Sequence, residues 1–143
     1  MSIAAAQPSI LLDAMAQELN RNYTVLKEKA DPPPYYMSYE VTEEEFRTVS
    51  ATLGAIDNSD SGKARVLDVS VRVGSPKLDN YHRVRGDRGQ FTSGALIAYE
   101  DSVNAIKRRL WLETDRAYRS AAARYARSVS SHKRRLMAFT LSS

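Results

Sequence analysis

The stretch KARVLDVSVRVG, Lys63–Gly74, alternates aliphatic side chains with polar and charged ones. A period of two residues is typical of a β-strand that has one face on a core and the other face nearer solvent. The predicted core face consists of Leu67, Val69, Val71 and Val73. The opposite face consists of Val66, Asp68, Ser70 and Arg72. The segment therefore predicts one strand of a sheet that is covered on one side.

The segments around this strand predict the rest of the sheet. Tyr35–Thr42 alternates in the same way, and Phe46–Ile56 predicts a further strand. The charged run Glu43–Glu45 predicts a connection between these two strands that faces water. Asp57–Gly62 is dense in turn-forming residues, and Ser93–Ala98 predicts a short edge strand. Short connections between consecutive strands imply an antiparallel meander of three to four strands.

Two helices are predicted at the ends of the chain. Apolar residues at spacings of three and four predict a helix that begins after Ser9 and ends near Ala30, where Asp31 and three prolines stop it. A second, longer helix begins at Asp101 or Ser102. Its predicted apolar stripe consists of Val103, Ile106, Leu110, Ala117, Ala121 and Tyr125.

The length of 143 residues is that of one ordinary domain. We therefore predict a single α+β domain over residues 1–143, in which an antiparallel sheet packs with an N-terminal helix and a long C-terminal helix. Residues 1–8 and 131–143 are predicted to be disordered.

The composition excludes several kinds of chemistry. The chain has no cysteine and only two histidines. Disulfides, thiolate zinc sites and cysteine nucleophiles are therefore excluded, and so is a histidine-rich metal site. No serine stands in a nucleophile-elbow pattern, and neither GxGxxG nor GxxxxGK[ST] occurs. The sequence predicts no cofactor, no metal and no catalytic site on this chain.

Membrane insertion is not expected, because no apolar run approaches the roughly 20 residues that span a bilayer. The opening MSIAAAQP has the small residues of a signal-peptide cleavage region. However, no basic segment or apolar stretch precedes it. We therefore expect a cytoplasmic protein, with an exported form that has lost its signal peptide as the alternative.

The segment KLDNYHRVRGDRG, Lys77–Gly89, combines carboxylates, a histidine, three arginines and two glycines. Asp79 and His82 supply at most two metal ligands, whereas a catalytic zinc needs three. The Arg-Gly-Asp tripeptide inside the segment matches an adhesion motif, but three letters are too few to carry that function. Since Ser75–Thr92 has almost no periodicity, the segment predicts a mobile polar loop.

Basic side chains concentrate near the C-terminus. Residues 1–106 carry 11 basic and 15 acidic side chains, whereas residues 107–143 carry 10 basic and 2 acidic ones. Clustered cations with neighbouring aromatic rings are typical of a nucleic-acid interface. The aromatic rings here fall beside the apolar stripe, which favours the solvated face of an amphipathic helix. Nucleic-acid binding is therefore the alternative function, and its candidate contacts are Lys107, Arg108, Arg109 and Arg116.

Several segments resemble the N-terminal domain of TldD/PmbA-type metallopeptidases, once described as modulators of DNA gyrase. The segments are PPPYYMSY at Pro32–Tyr39, RVGSPKLDN at Arg72–Asn80 and LWLETDRAYRSA at Leu110–Ala121. The resemblance extends over residues 9–130. It implies an α+β domain that forms one wall of a peptidase chamber, in proteins that pair as homodimers or heterodimers and degrade unfolded peptides.

The same resemblance places the family's chemistry elsewhere. In the family, an HExxxH helix of a later domain binds zinc, and its glutamate activates water. This chain has no HExxxH and stops before such a domain. We therefore expect a truncated or frameshifted gene, or a piece of a longer protein. The implied role is that of a non-catalytic domain that channels peptide and contacts another subunit.

The expected partners are an unfolded peptide and either a second copy of the chain or a TldD/PmbA-type subunit. An extended peptide can add to an exposed sheet edge, where backbone hydrogen bonds give affinity without sequence preference. The candidate contacts lie on the first strand and in the polar loop, and they are Tyr36, Ser38, Asp79, Asn80, His82, Arg83 and Arg85.

Overall fold

The computed structural model describes residues 9–82 and 94–140, which form two helices and an open antiparallel sheet of four strands. The predicted α+β class, with an N-terminal helix and a long C-terminal helix, is confirmed. The elements in chain order are α1 (Ile10–Lys29), β1 (Pro34–Thr52), β2 (Ala55–Ser75), β3 (Leu78–Asp79), β4 (Ala95–Ile97) and α2 (Val103–Thr140).

The first helix begins and ends where the sequence predicts. The Ser9 hydroxyl caps α1 by accepting a hydrogen bond from the Leu12 amide at 3.3 Å. Such a cap satisfies one of the backbone N–H groups that the first helical turn leaves without a partner. Ala30 ends the helix in an extended conformation, directly before Asp31 and the prolines.

The two long strands form one continuous hairpin. β1 and β2 pair from Pro34 opposite Val73 to Thr52 opposite Ala55. The turn consists of Leu53 and Gly54, both with positive φ, at 52° and 82°. A two-residue turn with both residues left-handed matches the twist of the flanking strands. β3 and β4 add to β2, and β4 confirms the predicted short strand.

The predicted strand boundaries inside this hairpin are wrong. Glu43–Glu45 lies within β1, and Asp57–Gly62 lies within β2 instead of forming a turn. The reason is that this part of the hairpin is exposed on both faces, so polar residues cost little at every position. Across the ribbon, the Phe46 ring packs directly over Gly62, which helps to fix the pairing at a residue that has no side chain.

The core lies between one face of the sheet and the two helices. The predicted core face of β2 is confirmed, because Leu67, Val69, Val71 and Val73 are all buried. Val103 is an exception in the predicted stripe of α2, since its side chain is 41% exposed. The buried cluster consists of Leu11, Ala14, Met37, Leu67, Val69, Val71, Val73, Ile97, Ile106, Leu110 and Ala121.

The second helix is longer than predicted. α2 continues to Thr140, so disorder from residue 131 is wrong for residues 131–140. Residues 1–8 and 141–143 lie outside the described residues. From His132 to Ala138 the side chains of α2 are exposed, so this end of the helix extends past the core.

The outer part of the hairpin also extends past the core. We call residues 42–62 the arm, and every residue from 42 to 61 is exposed. Its 11 residues of β1 correspond to a length of roughly 36 Å. At its base the Arg65 guanidinium, which is nearly buried, contacts Glu43 of β1 at 2.5 Å and Asp101 before α2 at 3.0 Å. This arginine ties the start of the arm to the start of the helix.

A buried hydrogen-bond chain joins α1, β1 and α2. The Asn22 amide donates to the Tyr39 hydroxyl at 2.9 Å, and the Thr114 hydroxyl donates to the Leu110 carbonyl at 2.7 Å. Since the Thr114 proton is engaged there, Tyr39 donates its own proton to the Thr114 oxygen. Burial raises the pKa of Tyr39 above its usual value, because the phenolate is poorly solvated there.

Tyr39 should therefore contribute an alkaline pH dependence to stability. Its raised pKa means that above about pH 10 the unfolded chain loses this proton before the folded chain does. This contribution is fully present below that pH and is lost as the pH rises through the folded-state pKa. Tyr39→Phe should be less stable than the wild type by about 1 kcal/mol near neutral pH. The difference, measured by urea unfolding, should be constant below about pH 10 and shrink as the pH rises above it, and a difference that stays constant in alkali would contradict this assignment.

Candidate functional site

The described part of the chain contains an open apolar pocket of about 440 Å³ between α1 and the start of β1. Ligand pockets typically have volumes of about 300–1,000 Å³, with mostly apolar linings and a few polar groups. The volume is sufficient for one or two side chains of a bound peptide. The lining residues are Ala16, Leu19, Asn20, Tyr23, Tyr35, Tyr36 and Met37.

The pocket lies at the edge of the sheet. Among the described strands β1 pairs only with β2, so its other edge carries no strand. Tyr36 and Met37 both line the pocket, although neighbouring strand residues point to opposite faces. A bulge between Pro34 and Tyr36 interrupts the regular alternation at the start of β1, on the strand that forms the edge of the sheet. A ligand in the pocket would therefore lie beside backbone groups of β1.

The aromatic rings of the pocket are held by polar contacts. The Tyr23 hydroxyl donates to the Tyr35 carbonyl at 3.4 Å, and the Tyr35 hydroxyl donates to an Asp79 carboxylate oxygen at 2.6 Å. Burial, together with the hydrogen bond to Asp79, raises the pKa of the Tyr35 phenol. The rings thus have defined positions before any ligand arrives, which lowers the entropic cost of binding.

Tyr36 is held by its cross-strand neighbour on β2, Arg72. It is 46% exposed, and its ring lies 5.5 Å from the Arg72 guanidinium of β2. Arg72 lies 4.4 Å from the Tyr81 ring as well. A guanidinium stacked between two rings restrains an exposed tyrosine through cation–π attraction. Of the predicted contacts that fall within the described residues, Tyr36 alone lines the pocket.

The other predicted contacts are spread over different environments. Ser38 is half-buried on β1, two residues beyond Tyr36, and His82 is exposed after β3. Asp79 and Asn80 are buried, and each has a structural partner. Arg83 and Arg85 lie outside the described residues.

Asn80 acts as a substitute strand partner for β2. Its side-chain amide donates to the Val71 carbonyl at 3.0 Å and accepts from the Val73 amide at 2.9 Å. The Asp79 carboxylate accepts from the Tyr35 hydroxyl and from the Tyr81 amide. These two side chains hold the segment after β2 in place.

The basic residues of the nucleic-acid alternative are largely engaged within the chain. Lys107 donates to the Gln17 side chain of α1 at 2.7 Å. Arg109 and Arg116 each lie 3.3 Å from the fully buried carboxylate of Glu113. Arg108 is exposed. The four residues therefore do not form one free cationic surface.

Within residues 9–82 and 94–140, no three histidine, aspartate or glutamate side chains come together as a set that could hold a metal ion. Neither α1 nor α2 has an apolar stretch that is long enough to cross a membrane.

Sequence reasoning missed most of the pocket. In the sequence, Leu19 and Tyr23 stand in the apolar stripe that predicts α1, and Tyr35 and Met37 share one face in the alternation that predicts β1. Leu19, Tyr23 and Met37 do pack at the core. Tyr35 does not belong to the core cluster, and the strand has a bulge at this point, between Pro34 and Tyr36. The signal that could have revealed the pocket is the pair of adjacent tyrosines, Tyr35 and Tyr36, directly after the prolines. Two adjacent residues of a strand cannot both be buried on one face.

The chain matches no protein-family model, no curated protein and no solved structure. Its class is therefore defined by the fold and by the pocket: an α+β domain with an open sheet edge next to an apolar cleft.

Proposed function

We propose that this chain is a non-catalytic, peptide-binding domain of the TldD/PmbA type, which holds an unfolded peptide for a separate zinc-bearing subunit. The observation that carries this proposal is the apolar pocket at the free edge of β1. The three segments that resemble the family support it, because PPPYYMSY supplies Tyr35, Tyr36 and Met37 of the pocket lining.

The chemistry of the cleft fits an extended peptide. A free strand edge offers backbone N–H and C=O groups to any peptide in an extended conformation, regardless of its sequence. The pocket beside it would accept an apolar or aromatic side chain of the same peptide. Such a combination selects unfolded segments, since folded proteins bury both their apolar side chains and their backbone groups.

Polar groups at the rim would orient the peptide. Asn20 lines the pocket from α1, and its amide can donate to a peptide carbonyl or accept from a peptide N–H. Ser38 follows along the strand and can do the same with its hydroxyl.

Filling the pocket should weaken peptide binding. Ala16 is exposed and lines the pocket, so Ala16→Arg would place a long charged side chain there without removing a core residue. Fluorescence anisotropy with a labelled, unstructured peptide rich in aromatic and aliphatic residues should show binding to the wild type. We expect Ala16→Arg to bind at least about tenfold more weakly, a loss of about 1.4 kcal/mol.

The matched control is Ala123→Arg, which adds the same side chain and charge at an exposed position of α2. It should leave the affinity for the peptide unchanged. Equal losses in both variants, or no binding by the wild type, would contradict the proposed site. A TldD/PmbA-type catalytic subunit should co-elute with this chain and cleave the peptide faster in its presence than with Ala16→Arg, and failure to co-elute would remove the proposed partner.

A further inference from the structure

The arm is a two-stranded ribbon, and no helix or second sheet of the described chain covers it. All residues from 42 to 61 are exposed, so neither face of the ribbon is covered within the described chain. Isolated two-stranded hairpins are at best marginally stable in water, and they gain stability when another element covers one face. We therefore expect another surface to cover one face of a ribbon of this length.

The arm presents both apolar groups and negative charge. Four of its large apolar side chains are 49–103% exposed, namely Phe46, Val49, Leu53 and Ile56. Residues 42–62 contain five acidic side chains and one basic one, and Lys63 and Arg65 on the paired strand bring the net charge of the ribbon 42–66 to −2. Glu43 and Glu45 face Arg65 and Lys63 of β2. The remaining acidic groups are Glu44, Asp57 and Asp60.

The C-terminal part of α2 has the complementary character. From Arg116 to Thr140 the sequence has seven basic side chains and no acidic one. Arg127, Lys133, Arg134 and Arg135 are all exposed. Two large apolar side chains, Leu136 and Met137, directly follow these cations and are 55% and 64% exposed. This end of the helix thus matches the arm in both charge and apolar content.

The lengths also agree. The 25 residues from Arg116 to Thr140 correspond to roughly 37 Å of α-helix, and the arm has roughly the same length. Within one chain the helix does not cover the arm, because the arm residues stay exposed. Within the described residues both surfaces are therefore open to another molecule.

We propose that the arm of one chain docks along the C-terminal part of α2 in a second copy of the same chain. Each chain supplies one arm and one helix end, so a two-fold pair contains the contact twice and closes as a dimer. The negative ribbon and the positive helix attract each other, and the exposed apolar side chains of both become buried. The dimer does not depend on the peptide pocket, which lies at the other end of β1.

Charge reversal tests this contact. One variant carries Glu44→Lys, Asp57→Lys and Asp60→Lys in the arm; the other carries Arg127→Glu, Lys133→Glu, Arg134→Glu and Arg135→Glu in α2. By light scattering coupled to gel filtration, each variant alone should be a monomer at concentrations where the wild type is a dimer. A mixture of the two variants should form the dimer again, because each of its two contacts then joins opposite charges.

Salt provides a second measurement on the wild type. The dimer association constant should fall at least about tenfold between 0.1 and 1 M salt, since the Debye length shortens from about 10 to 3 Å. The proposal would be overturned if the wild type were a monomer or if its dimerisation did not depend on salt. It would also be overturned if the mixture of the two variants stayed monomeric. A monomer that retains nucleic acid through α2 would overturn it as well, because the helix would then serve a different partner. Circular dichroism should first show that both variants keep the wild-type helix and strand content.

Cross-linking locates the contact directly, since the chain has no cysteine of its own. Ser50→Cys in the arm and Ser130→Cys in α2 each place a single thiol at an exposed position. Mixed together and treated with a short bismaleimide, the two chains should form a cross-linked heterodimer in high yield. Thr24→Cys on α1 is the matched control, and it should give little product with Ser130→Cys. Equal yields from both mixtures would place the contact elsewhere.

Discussion

Gly74→Ala is expected to cost about 3–5 kcal/mol of the free energy of unfolding, which is a large part of the total for a domain of this size. Gly74 has φ +98°, where an L side chain is strained. An added Cβ would lie 2.6 Å from the Leu78 carbonyl oxygen and directly against the Tyr125 ring. Backbone and a packed ring cannot both move away, so strain and overlap add. Thermal unfolding and urea unfolding should both show the loss.

Gly54→Ala is the matched control for this substitution. Gly54 also has positive φ, at +82°, but a Cβ there would meet no atom within 4 Å. Its cost should therefore be limited to backbone strain, about 1 kcal/mol. Similar losses at both glycines would show that strain alone acts and that the contacts of Gly74 with Leu78 and Tyr125 are unimportant.

Leu110→Ala is the second substitution with a large expected effect. Leu110 is fully buried at the centre of the contact between α2 and the sheet, and alanine keeps the helix intact because it is the best helix former. The change removes apolar contacts and leaves a cavity, for which losses of about 2–5 kcal/mol are typical. Urea unfolding monitored by circular dichroism measures this directly.

Leu112→Ala tests whether the loss comes from burial. Leu112 stands two residues further along the same helix and is 40% exposed. The same chemical change there should cost less than about 1 kcal/mol. If both leucines gave equal losses, the packing of α2 would differ from the arrangement described above.

The sequence was sufficient to predict the part of the domain outside the arm, which we call the body. There, burial of one face gives each helix and strand a regular spacing of apolar residues. Ser9 and the prolines mark the ends of α1, and the alternation in Lys63–Gly74 identifies the buried face of β2. The short strand β4 was also found, at Ala95–Ile97. In each case one face of the element is covered, so the wrong residue type on that face would be costly.

The arm could not be predicted in the same way. Its residues face water on both sides, so burial places no constraint on their polarity, and Glu43–Glu45 and Asp57–Gly62 looked like connections. The actual turn, Leu53-Gly54, has only one residue with a strong turn preference. Strand pairing there is determined by the continuation of the register from the body and by contacts such as Phe46 with Gly62.

The candidate site was predicted only in part. Tyr36 was identified because it stands on the solvent face of a strand, whereas the pocket depends on the distance between α1 and β1, which no local pattern encodes. Asp79 and Asn80 were chosen as polar residues in a loop. Their side chains instead complete hydrogen bonds of Tyr35 and of the β2 backbone, a role that becomes visible only in three dimensions.

The position of the turn at Leu53-Gly54 also bears on how related genes can differ in length. No residue of the arm belongs to the core cluster, so codons can be gained or lost beside the turn without a change in the body. Equal insertions on both sides preserve every existing strand pair and lengthen the arm by about 3.3 Å per added pair. An unequal insertion would force a bulge. The ribbon already contains one such irregularity, between Ser50 and Ala51. Related chains should therefore share one body and carry arms of different reach.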